Sequence, residues 1–274
     1  MKADLNIDPS FVTGVLVDFL KREAGKFGFS KGIIGLSGGL DSTVSAYLAA
    51  KAYGPKNVLG VLMPYKTSSP TSITDAEEVV KKTGICSLKV DITPMVDAYL
   101  DSVPEADKLR RGNVMARCRM IVLFDQSHKE KALVIGTSNK SELMLGYGTW
   151  FGDMASSINP LGDLYKTQER QLAAHLGLPE KILNKVPSAD LWAGQTVEGE
   201  LGFSYELADQ ILYLLVDERW RPQEIIEADF PAETVATVEK IVAASQFKRA
   251  LPTIAKLSRR TVGIDFQLSR DWSR

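Results

Sequence analysis

Six consecutive residues, Ser37-Gly38-Gly39-Leu40-Asp41-Ser42, bring together the residue types that hold a phosphate group. Glycines let a backbone come close to an anion, and the free N–H groups at the start of a helix offer it donors and a positive dipole end. Ser37 and Ser42 add hydroxyl donors, and Gly35 and Leu36 lead the chain into the turn. The common nucleotide loop, G-x-x-x-x-G-K-[ST], carries a lysine that reaches the terminal phosphates. Here Asp41 stands before the serine instead. A carboxylate at that point repels phosphate unless a cation lies between them, so the motif implies a magnesium ion as well as a nucleotide.

Such a turn has to sit between a strand and a helix. "KGIIGL" reads as a short apolar strand before it, and "DSTVSAYLAAKAYG" as a helix after it, stopped by Gly54-Pro55. Upstream, Phe11, Val12, Val15, Leu16, Phe19 and Leu20 fall at helical spacing and predict an amphipathic helix over 8–27. Downstream, "NVLGVLMP" predicts a second strand. "TDAEEVVKKTG" predicts a helix capped by Thr74, with acids in its first turn and lysines in its last. "CSLKVDI" is a third strand, a helix begins near Pro94, a long helix covers 113–130, and "ALVIGT" is a fourth strand. This alternation predicts an α/β fold, a doubly wound parallel sheet with helices on both faces. After residue 145 the period fails. "GYGTWFGDMASSINPLGD" and "PSADLWAGQTVEGELGFSY" read as long functional loops, and "YKTQERQLAAHLG", "YELADQILYLLVDE" and "AETVATVEKIVAAS" as helices extending the same domain. From Gln246 on, the tail is basic and irregular.

Bulk composition narrows the classes. The chain has 274 residues, 45% hydrophobic and 24% charged, with a formal net charge of -1. These values fit a soluble globular protein, and with no run of Lys or Arg they argue against a nucleic-acid partner. No signal peptide and no apolar run near ~18 residues is visible, so no membrane span is expected and a cytoplasmic location fits. Cys86 and Cys118 show no metal or redox spacing, and both are expected as buried apolar side chains.

"SGGLDS" resembles the pyrophosphate loop of the N-type ATP pyrophosphatases, which cleave ATP between the α and β phosphates and leave the acceptor adenylylated. That would account for the missing lysine, since no γ-phosphoryl group is transferred. "GNVMARCRM", "LVIGTSNKSELMLGY", "NPLGDLYKTQ", "PSADLWAGQT" and "ELGFSY" together are similar to ammonia-dependent NAD synthetase, over nearly the whole length and in the family's order. The resemblance implies an adenine nucleotide α-hydrolase-like fold with extra C-terminal helices and a homodimer. It also implies a single domain over 1–274 without a glutaminase domain, so that free ammonia or a nitrogen donor from a partner is used. The implied reaction amidates the nicotinate carboxylate of deamido-NAD with ATP and Mg2+. Matched position by position, the resemblance makes Asp41 and Glu142 magnesium ligands, and makes Gly35, Leu36, Ser37, Gly38, Gly39, Leu40, Asp41, Ser42, Thr137, Lys166 and Ser188 the ATP site. Lys166 is suited to the α-phosphate, where negative charge grows. Asn113 and Arg117, four apart on one helix, match residues that bind the dinucleotide, and Tyr147 and Lys248 fall in acceptor-binding blocks. Asp153 and Glu198 match the acids that would bind or deprotonate ammonium.

The acceptor half departs from the family. Trp150 stands where the family has a lysine, Ser157 where it has an aspartate, Val197 where it has an acid, and Phe247 where it has a histidine. Trp150 and Phe247 could form a stacking surface for a ring, or pack against each other. The departures keep three further readings open. One is a relative that amidates a different, less anionic acid. Another is a non-catalytic nucleotide-binding regulator, against which intact Asp41, Glu142 and Lys166 argue. The last is a sulfur-inserting tRNA enzyme, which would be expected to carry reactive cysteines and a basic surface.

Overall fold

The computed structural model describes residues 3–188, 190–192 and 194–267. Its first half runs α1 (Pro9–Lys26), β1 (Gly32–Gly35), α2 (Leu40–Tyr53), β2 (Val58–Leu62), α3 (Pro70–Thr83), β3 (Cys86–Lys89), α4 (Thr93–Leu100), α5 (Lys108–Glu130) and β4 (Leu133–Val134). The strands form a parallel sheet in the order β3-β2-β1-β4. Beside β4, Ile135 makes a parallel bridge with Ile158, so the chain returns to the sheet after the 145–157 loop.

The pleat of β1 divides the core. Ile34 joins a cluster with Leu20, Val44, Leu48, Val79 and Leu172 on one face, and Ile33 joins Val61, Val96, Met115 and Val134 on the other. A strand flanked by helices on both sides reads as a continuous apolar run, as "GIIG" does. Burying each such aliphatic side chain contributes about 1.5–3 kcal/mol. Strand order reverses at β1, whose neighbours are β2 on one edge and β4 on the other. The crevice at the carboxyl ends of these strands is where open α/β sheets bind ligands.

Several boundaries differ from the sequence reading. Helix α3 starts at Pro70, not at Thr74, and has no acid in its first turn. Proline is pre-shaped for the first helical position, so Ser69-Pro70 sets the start and Thr74 lies inside, its hydroxyl donating to Thr71 O at 3.0 Å. Helix α5 begins at Lys108, where Asp107 caps it by accepting from Arg110 N at 2.7 Å. Cys118 is buried, but Cys86, on the terminal strand β3, is exposed.

The second half supplies α6 (Lys140–Leu145), α7 (Lys166–His175), α8 (Glu180–Leu183), α9 (Val197–Leu201), α10 (Tyr205–Leu212), α11 (Pro222–Glu227) and α12 (Ala232–Ala244). Helix α9 lies inside a stretch read as loop, because Thr196 caps it and Gly202 stops it in the left-handed region. A π-helical turn, Tyr213–Asp217, follows α10. Helices α10 to α12 pack with Leu145 and Tyr165 into a third apolar cluster. Among the described residues, no helix is long and apolar enough to cross a membrane.

Candidate active site

The glycine turn leaves the end of β1 and enters α2. Gly39 caps α2 with no side-chain hydrogen bond, so the first N–H groups of the helix keep their capacity to bind an anion. Gly38 has φ +73°, and a Cβ there would lie 2.3 Å from Ser72 O, so the turn is pressed against α3 and only glycine fits. The hydroxyls of Ser37 and Ser42 lie 3.1 Å apart, and that of Ser37 accepts from Gly39 N at 3.2 Å.

Opposite the turn stands Lys166 at the first position of α7, with its side chain 1% exposed. Its Nζ lies 2.5 Å from Asp41 Oδ1 and 3.4 Å from Glu169 Oε2. Asn139 Nδ2 donates to the same two carboxylates, at 2.7 and 3.2 Å. The Tyr205 ring covers Lys166 Nζ at 5.8 Å, and its buried hydroxyl has no hydrogen-bond partner among the described residues. Burial opposes the Lys166 charge, but Asp41, Glu169 and Glu142 outweigh it and hold the ammonium above its usual range. Burial likewise opposes ionisation of Asp41, yet Lys166 and the hydrogen bonds around it hold that carboxyl below the usual range. Glu169, fully buried and beside Asp41, is pushed well up. Glu142 closes a capping box at the start of α6, accepting from Asn139 N at 3.3 Å. Burial and the charge of Asp41 push its carboxyl up to about 8.

Asp41 and Glu142 line one cleft, and the mutual repulsion that raises Glu142 is what a divalent cation between them would relieve. Among the described residues, no three His, Cys, Asp or Glu side chains gather as a ready-made metal cage. Two carboxylates, with the remaining positions left for phosphate and water, suit Mg2+, which keeps much of its hydration. The residues present therefore fit the ion.

The cleft has a volume of about 720 Å³. It brings together Gly35, Leu36, Ser37, Gly39, Leu40, Asp41, Ser42, Thr137, Glu142, Lys166 and Ser188 with Asn113, Tyr147, Asp153 and Lys248. Gly38 faces α3 instead. Arg117 is exposed, donates to Trp150 O at 3.3 Å and, with Asn113, borders a separate hollow of about 180 Å³. Glu198 accepts from Tyr205 N, the first N–H of α10, at 2.9 Å beside the Ser204 cap, while Glu200 borders the cleft and accepts from the Tyr147 hydroxyl at 3.0 Å. Ser157 lies exposed at the sheet edge, its N donating to Val134 O. Trp150 stacks on Phe151 at 4.2 Å and meets Phe247 edge-on at 5.6 Å, so the two aromatics touch each other.

Polar groups that the sequence reading does not single out include Arg119 and Lys185, which border the cleft, and Asn139 and Glu169, which are buried against Asp41 and Lys166. Lys166 and Glu169 have the i, i+3 spacing of a helical ion pair, and Asn139 with Glu142 has the spacing of a capping box, so both signals were present. Arg119 falls inside a quoted block, and its Nε donates to Met63 O.

The site is thus a lysine-free glycine turn at the switch point of a parallel sheet, facing a buried lysine and two cleft carboxylates, at the place where open α/β sheets bind ligands. The model of one family, NAD synthase, matches residues 12–252. An NH(3)-dependent NAD(+) synthetase of Chlorobium phaeobacteroides (strain BS1) is 53% identical over 268 residues, covering 98% of this chain and 97% of its own. An NH3-dependent NAD synthetase from Campylobacter jejuni superposes with a TM-score of 0.79 at 31% identity, over 92% of this chain and all of the other. An NMN synthetase from Francisella tularensis gives 0.81 at 31% identity, over 91% and 99%. The chain belongs to the NAD synthase family.

Proposed function

We propose that the protein joins ammonia to the nicotinate carboxylate of deamido-NAD, using ATP and passing through an acyl-adenylate. The observation that carries this reading is the Lys166–Asp41 pair, a buried cation held at the mouth of a glycine turn by the turn's own aspartate. A carboxylate is a poor acyl donor, because its leaving group would be oxide. Attack of a carboxylate oxygen on the α-phosphorus breaks the bond to the β-phosphate and releases pyrophosphate. Ammonia then attacks the activated carbonyl, and AMP leaves with one former carboxylate oxygen.

Each step has a group suited to it. Lys166 faces the α-phosphate, where charge grows in the transition state. The glycine turn and the start of α2 receive the departing pyrophosphate. Asp41 and Glu142 would hold Mg2+, which when bound neutralises phosphate charge. Asp153 borders the cleft with one oxygen held by Thr149 N at 2.8 Å, placed to bind ammonium and take its proton. Asn113, Tyr147 and Lys248 border the side assigned to the dinucleotide. Glu198, tied to the first N–H of α10, serves that side through the shape of the α9–α10 turn.

The assembly proposed is a homodimer, supported by exposed Ile121 and Phe124 on one face of α5, next to Arg117 and the 150 loop it holds. One domain is supported by shared elements, since the 161–165 segment gives Leu161 and Leu164 to one cluster and Tyr165 to another.

The test is a product assay with Mg-ATP, ammonium and either deamido-NAD or its nicotinate mononucleotide half, following AMP and NAD by chromatography. NAD rising in step with AMP is expected. AMP released only with the mononucleotide would replace the acceptor with a smaller one.

A further inference from the structure

The glycine turn has no lysine of its own, yet a lysine reaches it from outside. Lys185, just after α8, places Nζ 3.1 Å from the carbonyl of Gly38 and 2.8 Å from Asp75 Oδ2 on α3. Its side chain is 29% exposed and borders the cleft. The other cations bordering the cleft have different partners: Lys166 pairs with the side chain of the turn's own Asp41 and with Glu169, Arg170 with Glu206, Arg119 with Met63 O, and Lys248 with the carbonyls of Gly146 and Gly148. Of these five cations, Lys185 is the one that bonds the backbone of the turn among the described residues.

Its present partners can release it. A backbone carbonyl is a neutral acceptor and holds an ammonium weakly against phosphate. Asp75 has a second cation, because Lys181 Nζ lies 2.7 Å from Asp75 Oδ1 and 2.7 Å from Glu78 Oε2. The carboxylate stays paired when Lys185 leaves, so no unpaired charge is stranded. The seam where Lys185 enters is also rigid, since the turn at Gly38 is pressed on Ser72 O. The lysine therefore meets a fixed anion site from a flexible stem.

We propose that Lys185 is a pyrophosphate ligand. On nucleotide binding its ammonium moves from the Gly38 carbonyl and Asp75 to the β- and γ-phosphate oxygens, and it stays with them as pyrophosphate departs. It does from outside the turn what the lysine of the common loop does from within. The inference rests on the reading of the turn as the pyrophosphate site.

Calorimetry on the full chain, with Mg-pyrophosphate and AMP titrated separately, tests it, together with the KM for ATP. Lys185→Met should weaken pyrophosphate binding and raise the KM for ATP by about tenfold or more, the loss of one charge-assisted contact. AMP binding should change by less than about twofold, because AMP lacks the phosphates this residue holds. Lys185→Arg should recover most of the loss. Asp75→Asn frees the lysine, and should leave pyrophosphate binding equal or tighter. Equal weakening of pyrophosphate and AMP in Lys185→Met, or weaker pyrophosphate binding in Asp75→Asn, would make Lys185 a structural tie and overturn the proposal. Wild-type protein that binds no pyrophosphate would remove the reading of the turn itself, whereas wild-type binding with an unaffected Lys185→Met would remove only the role of Lys185.

Discussion

Lys166 keeps its charge where burial alone would strip it, because Asp41 and Glu169 surround it. The cluster has three carboxyls for one ammonium, and the two least favoured, Glu142 and Glu169, rise. Replacing Asp41 removes a ligand for the cation and the anchor of Lys166 together. Asp41→Ala should lower metal-dependent AMP formation by at least ~10³-fold, as loss of a key charge-stabilising group does. Folding should survive, because Glu169 still pairs with Lys166. Near-normal turnover in a rapid AMP assay would remove this account of the turn. The pH dependence follows from Glu142. Its carboxyl is pushed up to about 8, so below that pH it is mostly protonated and an incoming cation must displace the proton. Apparent Mg2+ affinity should climb as pH rises toward about 8 and level off above it. Calorimetry at neutral pH in two buffers of different ionisation heat should report a released proton, and none released would contradict the assignment.

At the scale of elements, Lys166 and Glu142 sit on the first turns of different helices, α7 and α6. What holds those turns together comes from a third helix. Asp209 on α10, wholly buried, accepts from Ser141 Oγ at 2.5 Å and from Thr167 N at 2.8 Å, and Ser141 Oγ accepts from Lys166 N at 2.9 Å. Burial pushes the Asp209 carboxyl up, and the donors on Ser141 and at the start of α7 oppose that rise. Asp209→Ala strands these donors and should cost about 2–5 kcal/mol in urea unfolding. Activity should fall with it, and unchanged stability would show that α6 and α7 are held otherwise. This arrangement marks where the sequence is legible. The glycine turn, the strand–helix alternation and the Asn139–Glu142 box are contiguous patterns, so local rules expose them. Asp209, Lys185 and Arg119 reach the site only because separate elements pack together, and no spacing announces that. Thr74 failed as a cap because Ser69-Pro70 offered a stronger start a turn earlier. The Trp150–Phe247 pair stayed undecided in sequence because stacking on a ligand and packing on each other ask for the same residues.

Among the described residues, the carboxyl edge of the sheet and three apolar clusters frame the large cleft. The molecule's exposed α5 face should be covered by a second copy, so Ile121→Glu should turn a dimer into monomers in sedimentation velocity, and a monomeric parent would contradict that assembly. The central claim concerns which phosphate the carboxylate attacks. The direct measurement uses deamido-NAD carrying ¹⁸O in its nicotinate carboxylate, with Mg-ATP and ammonium, and mass analysis of the released products. The account predicts one ¹⁸O atom transferred to AMP and none to pyrophosphate. Label in inorganic phosphate with ADP as the co-product, or AMP free of label, would contradict it.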